Sequence, residues 1–171
     1  GSTKTLYMEA DANTSNLGCA VEFELPGPLD SQVGFRWAIY GKGAIDGQDA
    51  FLISYFSERS YLKASVNGHR VMNKMAGTNG PACAGYINGA ATHLQMGSHV
   101  SMGADHWHAL FYEYDAVAGT VKPWLYQNNS GFQRHSGSES ITWNTSGFGD
   151  FNYLTLQCVP KHSVYYDDTW V

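Results

Sequence analysis

The sequence has little charge and no long apolar run. Only 15% of its residues are charged, and 15 acidic residues against 10 basic ones give a formal net charge of −5. A negative field is unfavourable for binding nucleic acid or an anionic membrane surface. No stretch reaches the roughly 20 consecutive apolar residues that a membrane-spanning helix needs. We therefore expect no nucleic-acid partner and no membrane partner.

Cysteine is scarce as well. The three cysteines, Cys19, Cys83 and Cys158, have neither the paired spacing of a zinc site nor a CxxC redox motif. This number favours one disulfide and one free thiol in an extracellular protein. A metal site built from histidines is also disfavoured, because those of the middle region lack a paired spacing with a third ligand. They are His93, His99, His106 and His108.

Glycine and aromatic side chains are abundant instead. The 19 glycines and 14% aromatic residues favour many short strands joined by tight turns, since helices would require more alanine, leucine and charged residues. A length of 171 residues suits one well-buried domain. Gly1-Ser2 resembles a cloning scar, and residues 3–171 are predicted to form a single β-sandwich domain that was part of a larger secreted chain.

Alternation of apolar and polar residues defines most of the predicted strands. In Val21-Glu22-Phe23-Glu24-Leu25 the apolar residues point inward and the glutamates outward, where such a pair on an edge strand is usually solvated. Trp37 has inward parity and is predicted to lie in the core. Residues 73–105 are predicted to form an irregular insertion with one weak strand near 92–96. The predicted strands span 6–11, 19–25, 34–40, 50–56, 60–66, 69–72 after a hairpin turn at Asn67-Gly68, 107–115, 120–126, 153–158 and 165–171.

The outward positions of these strands carry aromatic and cationic side chains. A sugar ring offers an apolar face of C–H groups and a rim of hydroxyls, so flat aromatic rings with polar neighbours are suited to bind it. The alternative is that these aromatics face the second sheet, because one error in register exchanges the two sides of a strand. The predicted carbohydrate-binding residues are Arg36, Tyr40, Tyr61, Lys63, Trp124, Tyr126 and Tyr153.

Two segments resemble a known fold family. Trp107 opens a strand that ends in Tyr114-Asp115 before a short turn containing glycine, and the chain closes on Tyr165-Tyr-Asp-Asp-Thr-Trp-Val171. Both segments resemble the concanavalin-A-like and laminin-G-like jelly rolls of carbohydrate-binding modules, although Gln127-Asn128-Asn129 replaces the usual Asp-Gly. The resemblance implies an all-β antiparallel sandwich of jelly-roll type. It also implies a non-catalytic domain that recognises a polysaccharide, with acidic and sulfated glycans among the candidates.

Two other functions stay open at this stage. Jelly rolls also serve as polysaccharide lyases, which need a tyrosine or histidine base and a group that neutralises a uronate carboxylate. The chain has such residues, but no strand carries an Arg-x-Glu-x-Arg or Gln-x-His pattern. An adhesin or a viral surface domain that binds a ligand is the second alternative. The residue types that lyase chemistry would use are present at Arg36, Tyr40, His69, His108 and Tyr126.

The resemblance has two further implications. Early and late strands lie near each other in jelly rolls, so Cys19 and Cys158 are the first choice for a disulfide, with Cys83 bonded to either one as the alternative. A structural calcium ion would join the first and last strands, unless their carboxylates accept backbone N–H bonds without a metal. The predicted calcium ligands are Glu9, Asp11, Asp167 and Asp168.

Overall fold

The computed structural model describes residues 6–10, 18–43, 51–63, 69–76, 80–87, 90–95, 107–127, 131–134, 141–142, 148–159 and 163–170. Strands and turns make up the ordered elements within these ranges, which confirms the all-β prediction. In the same ranges no helix has the length and apolar character needed to cross a membrane. The strands are β1 (Leu6–Glu9), β2 (Cys19–Leu29), β3 (Gly34–Gly43), β4 (Phe51–Ser57), β5 (Arg70–Ala76), β6 (Gly80–Ile87), β7 (Ala90–Gln95), β8 (His108–Asp115), β9 (Thr120–Gln127), β10 (Gly131–Arg134), β11 (Ile141–Thr142), β12 (Phe151–Cys158) and β13 (Ser163–Trp170).

These strands form two antiparallel sheets. The seven-stranded sheet has the order β1-β13-β3-β8-β9-β10, with β11 also paired to β9, and the six-stranded sheet has the order β2-β12-β4-β5-β6-β7. The β8–β9 hairpin has the predicted pairing, and Asp115 closes its turn by accepting a hydrogen bond from the Ala118 N–H at 2.8 Å. Gly119 follows with a φ of 63°, a left-handed conformation that glycine adopts without strain.

Aromatic side chains from both sheets fill the core. Trp37 is 1% exposed and Phe56 is fully buried, and their ring centroids lie 5.2 Å apart across the sandwich. Phe35 contacts Phe56 and Phe151 at 5.1 and 5.8 Å. Burying a side chain of this kind stabilises the fold by about 2–3 kcal/mol relative to leaving it in water. The prediction that Trp37 is a core residue is confirmed.

The two ends of the described chain meet in the seven-stranded sheet. The strands β1 and β13 are antiparallel neighbours, with Leu6 opposite Tyr166. The buried hydroxyl of Tyr166 crosses the core, accepts the Ile53 N–H at 3.0 Å and donates to the Gln157 carbonyl at 2.7 Å. Burial raises the pKa of this phenol far above its ordinary value, so it stays protonated as a donor. The closing strand therefore holds β4 and β12 of the opposite sheet.

Three predictions about the strands were wrong. Residues 61–63 form a turn rather than a strand, and Leu62, predicted inward, is 48% exposed. The predicted insertion is largely sheet, because β5, β6 and β7 pair in succession up to Gln95. Phe23 has the predicted inward parity, opposite the core residue Leu154, but it is 45% exposed because β2 is an edge strand whose inner side is only partly covered. The third wrong prediction is the end of β2, which was placed at residue 25, whereas the strand continues through Pro26-Gly27-Pro28 to Leu29.

Candidate functional site

Each sheet has an outer face that points away from the core. Adjacent residues of a strand point to opposite sides, so the core positions of Phe56, Val71, Leu154 and Leu156 fix which neighbours point outward. We call the outer side of the six-stranded sheet the six-stranded face, with Glu22, Glu24, Tyr55, Ser57, Arg70, Tyr153 and Thr155. We call the outer side of the other sheet the seven-stranded face, with Tyr7, Arg36, Tyr40, Glu113 and Tyr165.

On the six-stranded face, the carboxylate of Glu22 holds the turn that follows β4. One oxygen accepts the Ser60 hydroxyl. The other accepts the backbone N–H groups of Tyr61 and Leu62 at 2.6 and 3.3 Å and the Thr155 hydroxyl at 3.2 Å. Both oxygens of the carboxylate, which is an acceptor when ionised, are therefore engaged. Glu22 thus fixes the backbone of the turn against the sheet.

A second contact, with the ring of Tyr55, fixes the side chain of Tyr61. Its ring stacks on that of Tyr55 with centroids 5.0 Å apart and planes inclined by 17°. The guanidinium carbon of Arg70 lies 4.5 Å from the Tyr61 centroid and 5.5 Å from the Tyr55 centroid. If Arg70 covered the far side of the Tyr61 ring, its distance to Tyr55 would approach the sum of the other two distances. Arg70 therefore lies on the Tyr55 side, and neither Tyr55 nor Arg70 covers the far side of the Tyr61 ring.

The exposure of the two rings differs accordingly. Tyr55 is only 7% exposed, whereas Tyr61 is half-buried. A guanidinium beside an aromatic ring contributes about 0.5–2 kcal/mol, and ring stacking adds a similar amount. Lys63 is exposed in the same turn, and Tyr153 is half-buried beside Glu24 and Ser57 in the register. The result is a flat ring of fixed orientation with polar and cationic side chains around it.

A second cluster fixes the adjacent end of this sheet. Glu58 accepts a hydrogen bond from the Gly149 N–H and pairs with His69 Nδ1 at 2.8 Å. The His69 ring stacks on Phe148 with centroids 5.0 Å apart and planes inclined by 8°. Asn152 Nδ2 donates to the Glu58 carbonyl at 3.1 Å. These contacts tie the segment before β12 to the chain between β4 and β5.

The seven-stranded face has a different arrangement. Arg36 pairs with Glu113 at 3.1 Å, but the Arg36 side chain is 75% exposed. Tyr40 and Trp107 stack with centroids 4.8 Å apart and planes inclined by 21°, and both are half-buried. The backbone register places Trp124 opposite Phe111 and Tyr126 opposite Ala109 in the same sheet.

The predicted binding residues therefore do not share one face. Arg36 and Tyr40 lie on the seven-stranded face, and Trp124 and Tyr126 belong to the same sheet through β9. Tyr153 lies on the six-stranded face, and Tyr61 and Lys63 follow β4 in the turn that covers it. The sequence interpretation placed all of them together because parity separates the inside of a sandwich from the outside but does not distinguish the two outer faces.

Four residues of the six-stranded face were missing from the predicted set. They have recognisable signals in the sequence, although these signals are weak. Tyr55 lies in a strand that is apolar throughout, so its outward position resembled a second core position. Glu22 was interpreted as solvated because the turn that it binds lies 38 to 40 residues later. The four are Glu22, Tyr55, Arg70 and Thr155.

Two of the predicted calcium ligands, Glu9 and Asp167, lie far apart in the register of β1 and β13. Glu9 pairs with Ser163, four residues before Asp167 on the same strand, which separates the two positions by about 13 Å along the ladder. Ligands of one calcium ion lie about 2.5 Å from it, so Glu9 and Asp167 cannot share an ion. Asp11 lies outside the described residues. Among the residues that the structure describes, no group of three or more His, Cys, Asp or Glu is placed to hold a metal.

Comparison with solved structures identifies the fold. The chain matches no protein-family model and no curated protein. The exoplasmic/lumenal domain of VIP36, in a form bound to Ca²⁺ and Man3GlcNAc, superposes with a TM-score of 0.56 at 12% identity, over 98% of this chain and 84% of that chain. The catalytic domain of a GH131 β-glucanase from Podospora anserina gives a TM-score of 0.47 at 16% identity, over 96% and 69% of the two chains. The TRIM65 PSpry domain gives 0.45 at 9% identity, over 85% and 70%. The first superposition and the strand order establish that this chain has a concanavalin-A-like jelly-roll fold.

Proposed function

We propose that this domain is a non-catalytic carbohydrate-binding module that binds a polysaccharide on the six-stranded face, at Tyr61. The observation that carries the proposal is the position of the Tyr61 ring. One side of it rests on Tyr55, and neither Tyr55 nor Arg70 covers the other side. The apolar C–H face of a sugar ring packs on such a surface, and a ring that is already fixed loses little conformational entropy on binding.

Polar side chains around Tyr61 support the same proposal. Lys63 is exposed in the same turn, Arg70 lies 4.5 Å from the Tyr61 centroid, and Tyr153 is half-buried on the same face. They can donate hydrogen bonds to the hydroxyls of a sugar. A guanidinium and an ammonium also favour a carboxylate or a sulfate, so uronate-containing and sulfated glycans are the first candidates.

The states of the carboxylates support binding rather than catalysis. The carboxylate of Glu22 accepts four hydrogen bonds, three of them from residues of the turn, which gives it a structural role. Glu58 is engaged by His69 and Gly149. Of the five residues whose types a lyase would use, Arg36, Tyr40, His108 and Tyr126 belong to the seven-stranded sheet rather than to the six-stranded face, and His69 is paired with Glu58.

The fold comparison supports a saccharide as ligand. The VIP36 domain of the same fold was crystallised with an oligosaccharide and calcium. We further propose that the present domain acts outside the cell as part of a larger secreted chain. The direct opposition of two cysteines on neighbouring strands suits an oxidising compartment.

Affinity electrophoresis tests the proposal. The domain is run in gels containing alginate, carrageenan, pectin or neutral glucans, together with the Tyr61→Ala variant. The matched control is Tyr7→Ala, which removes an exposed tyrosine that stacks on Tyr165 on the seven-stranded face. We expect at least one polymer to retard the wild type, and Tyr61→Ala to weaken retention about tenfold, because stacking of this kind contributes about 0.5–1.5 kcal/mol beyond buried area.

Three results would contradict the proposal. No retardation by any polymer would remove carbohydrate binding. Equal retention of Tyr61→Ala and the wild type would remove the six-stranded face as the site. A rise in absorbance from unsaturated products during incubation with any of the polymers would establish a lyase instead.

A further inference from the structure

Cys19 and Cys158 face each other across two neighbouring strands. They are direct partners in the antiparallel register of β2 and β12. Cys158 belongs to the buried core and Cys19 packs against that core, so both side chains point to the same side of the sheet. The Cβ atoms of directly opposite residues lie about 4.5–5.5 Å apart, close to the distance that a disulfide requires.

The third cysteine is too distant to compete. Cys83 lies in β6, which is three strands from β12 and four from β2 in the six-stranded sheet. With neighbouring strands about 4.8 Å apart, Cys83 is at least about 14 Å from either position. A disulfide requires Cα atoms within about 7 Å of each other. The strand order therefore decides among the pairings that the sequence left open.

We propose that Cys19 and Cys158 form a reversible cross-strand disulfide that fastens the edge strand β2 to β12. The oxidant is a low-molecular-weight disulfide such as oxidised glutathione. The Cys19 thiolate attacks one oxidant sulfur and expels one glutathione thiolate, and the Cys158 thiolate then attacks the Cys19 sulfur and expels the second. The oxidant S–S bond breaks, the Cys19–Cys158 S–S bond forms, and the protein loses two electrons to the oxidant. The two protons end on the released glutathiones.

The surroundings of the two thiols set the order of attack. Cys19 is half-buried and accessible to a small oxidant, whereas Cys158 is fully buried. Burial raises the pKa of the Cys158 thiol to about 12, and the adjacent Cys19 adds to this effect. A thiol in that state is a poor first nucleophile. Cys158 therefore acts second, within the molecule, on the mixed disulfide at Cys19.

The disulfide would stabilise β2, the strand that carries Glu22. Glu22, three residues after Cys19, accepts the hydrogen bonds that hold residues 60–62. A covalent bond at the start of β2 reduces the opening of this edge strand. It also closes a long loop, which lowers the entropy of the unfolded chain.

The test is a thiol count with peptide mapping. The reduced protein is incubated with oxidised glutathione at pH 8, acid-quenched, denatured and titrated. The three cysteines should fall to one free thiol, and tryptic peptides 5–36 and 135–161 should be linked. The melting midpoint should rise by about 5–10 °C, and amides 20–25 should exchange more slowly.

Two variants complete the test. Cys83→Ser should oxidise fully and leave no free thiol, whereas Cys19→Ser should form no internal link. Persistence of three thiols, a stable mixed disulfide on Cys19, or a link to the peptide that contains Cys83 would overturn the proposal. None of these readouts involves a glycan, so they are independent of the proposed function.

Discussion

On the six-stranded face, Tyr61 is fixed both through its backbone and through its ring, by Glu22 and by Tyr55. On the seven-stranded face, Arg36 reaches Glu113 through an ion pair in which its own side chain is largely exposed. Exposed ion pairs of this kind contribute little and lose side-chain entropy when they form. Residues of similar type therefore occur on both faces, but Tyr61 is held by a carboxylate and a buried ring, whereas the Arg36 side chain is largely exposed.

This difference between the two faces matters for binding, because a ligand must immobilise any side chain that the protein does not already hold in place. The Tyr61 ring is already held by the buried ring of Tyr55 and by the hydrogen bonds of its turn to Glu22, so a ligand does not need to order it further. An exposed arginine loses about 0.5–1.5 kcal/mol of conformational entropy when a ligand immobilises it. A binding site is thus better identified from the contacts that hold its side chains than from their types. The following variants test this comparison in order of decreasing expected effect.

Glu22→Ala should have the largest effect. It removes the acceptor of four hydrogen bonds, including two from backbone N–H groups of the turn. Hydrogen bonds to a charged group contribute about 1.5–3 kcal/mol each, and the freed donors can partly turn to water. We therefore expect the free energy of unfolding to fall by about 2–3 kcal/mol. We also expect glycan retention to be lost, because the turn that carries Tyr61 is released. Urea denaturation and affinity electrophoresis measure the two. The matched control is Glu24→Ala, at the next outward position of β2 and exposed, which should change stability by less than about 0.5 kcal/mol. Equal effects of the two variants would contradict the role of Glu22.

Tyr166→Phe should reduce the stability of the fold without changing the six-stranded face. The hydroxyl binds the Ile53 N–H and the Gln157 carbonyl in the core. Removing it leaves buried backbone groups without this partner, which costs about 1–3 kcal/mol. Tyr7→Phe is the control, because its hydroxyl donates to Glu9 at the exposed surface and should contribute under about 0.5 kcal/mol. Unchanged stability of Tyr166→Phe in urea denaturation would mean that the hydrogen bonds from the Tyr166 hydroxyl to the opposite sheet do not stabilise the fold.

Arginine substitutions compare the two faces directly. Arg70→Ala should weaken glycan retention about tenfold, because it removes a cation within 4.5 Å of the Tyr61 centroid. Arg36→Ala should leave retention unchanged and alter stability by no more than about 0.5 kcal/mol, since its ion pair with Glu113 is exposed. Affinity electrophoresis ranks the two variants. The reverse ranking would place the ligand on the seven-stranded face.

Chelation should have the smallest effect. Because Glu9 and Asp167 are too far apart to share an ion, we expect excess chelator to shift the melting midpoint by less than about 1 °C relative to added calcium. Differential scanning fluorimetry measures the shift. A calcium-dependent shift of several degrees would mean that the closing aspartates find their ligands in another part of the chain.

The fold was largely predictable because local patterns report it. The β8–β9 hairpin, β3 and the closing strand all have alternating or aromatic-rich sequences bounded by turn residues. In the region from β5 to β7, only the start of β5 and a weak strand overlapping β7 were predicted, because Gly, Ala and Asn weaken the alternation there. These strands form through pairing with their neighbours, and strand propensity depends on that context.

The site was less predictable because it combines distant parts of the chain. Glu22 interacts with Thr155, 133 residues away, as well as with the turn after β4. Parity correctly placed Glu22, Arg36 and Tyr153 on the outside, but the assignment of each strand to one of two sheets is a property of the whole topology. A single sequence without contact information does not specify it.

Mapping the bound glycan on the protein surface by NMR is the most direct test of the central claim. A ¹⁵N-labelled sample is titrated with an oligosaccharide of the polymer that retards the wild type. Binding at Tyr61 predicts amide shift changes concentrated in residues 20–24, 55–63, 69–71 and 153–157. Changes concentrated instead in residues 36–40 and 107–115 would contradict the claim and assign binding to the seven-stranded face.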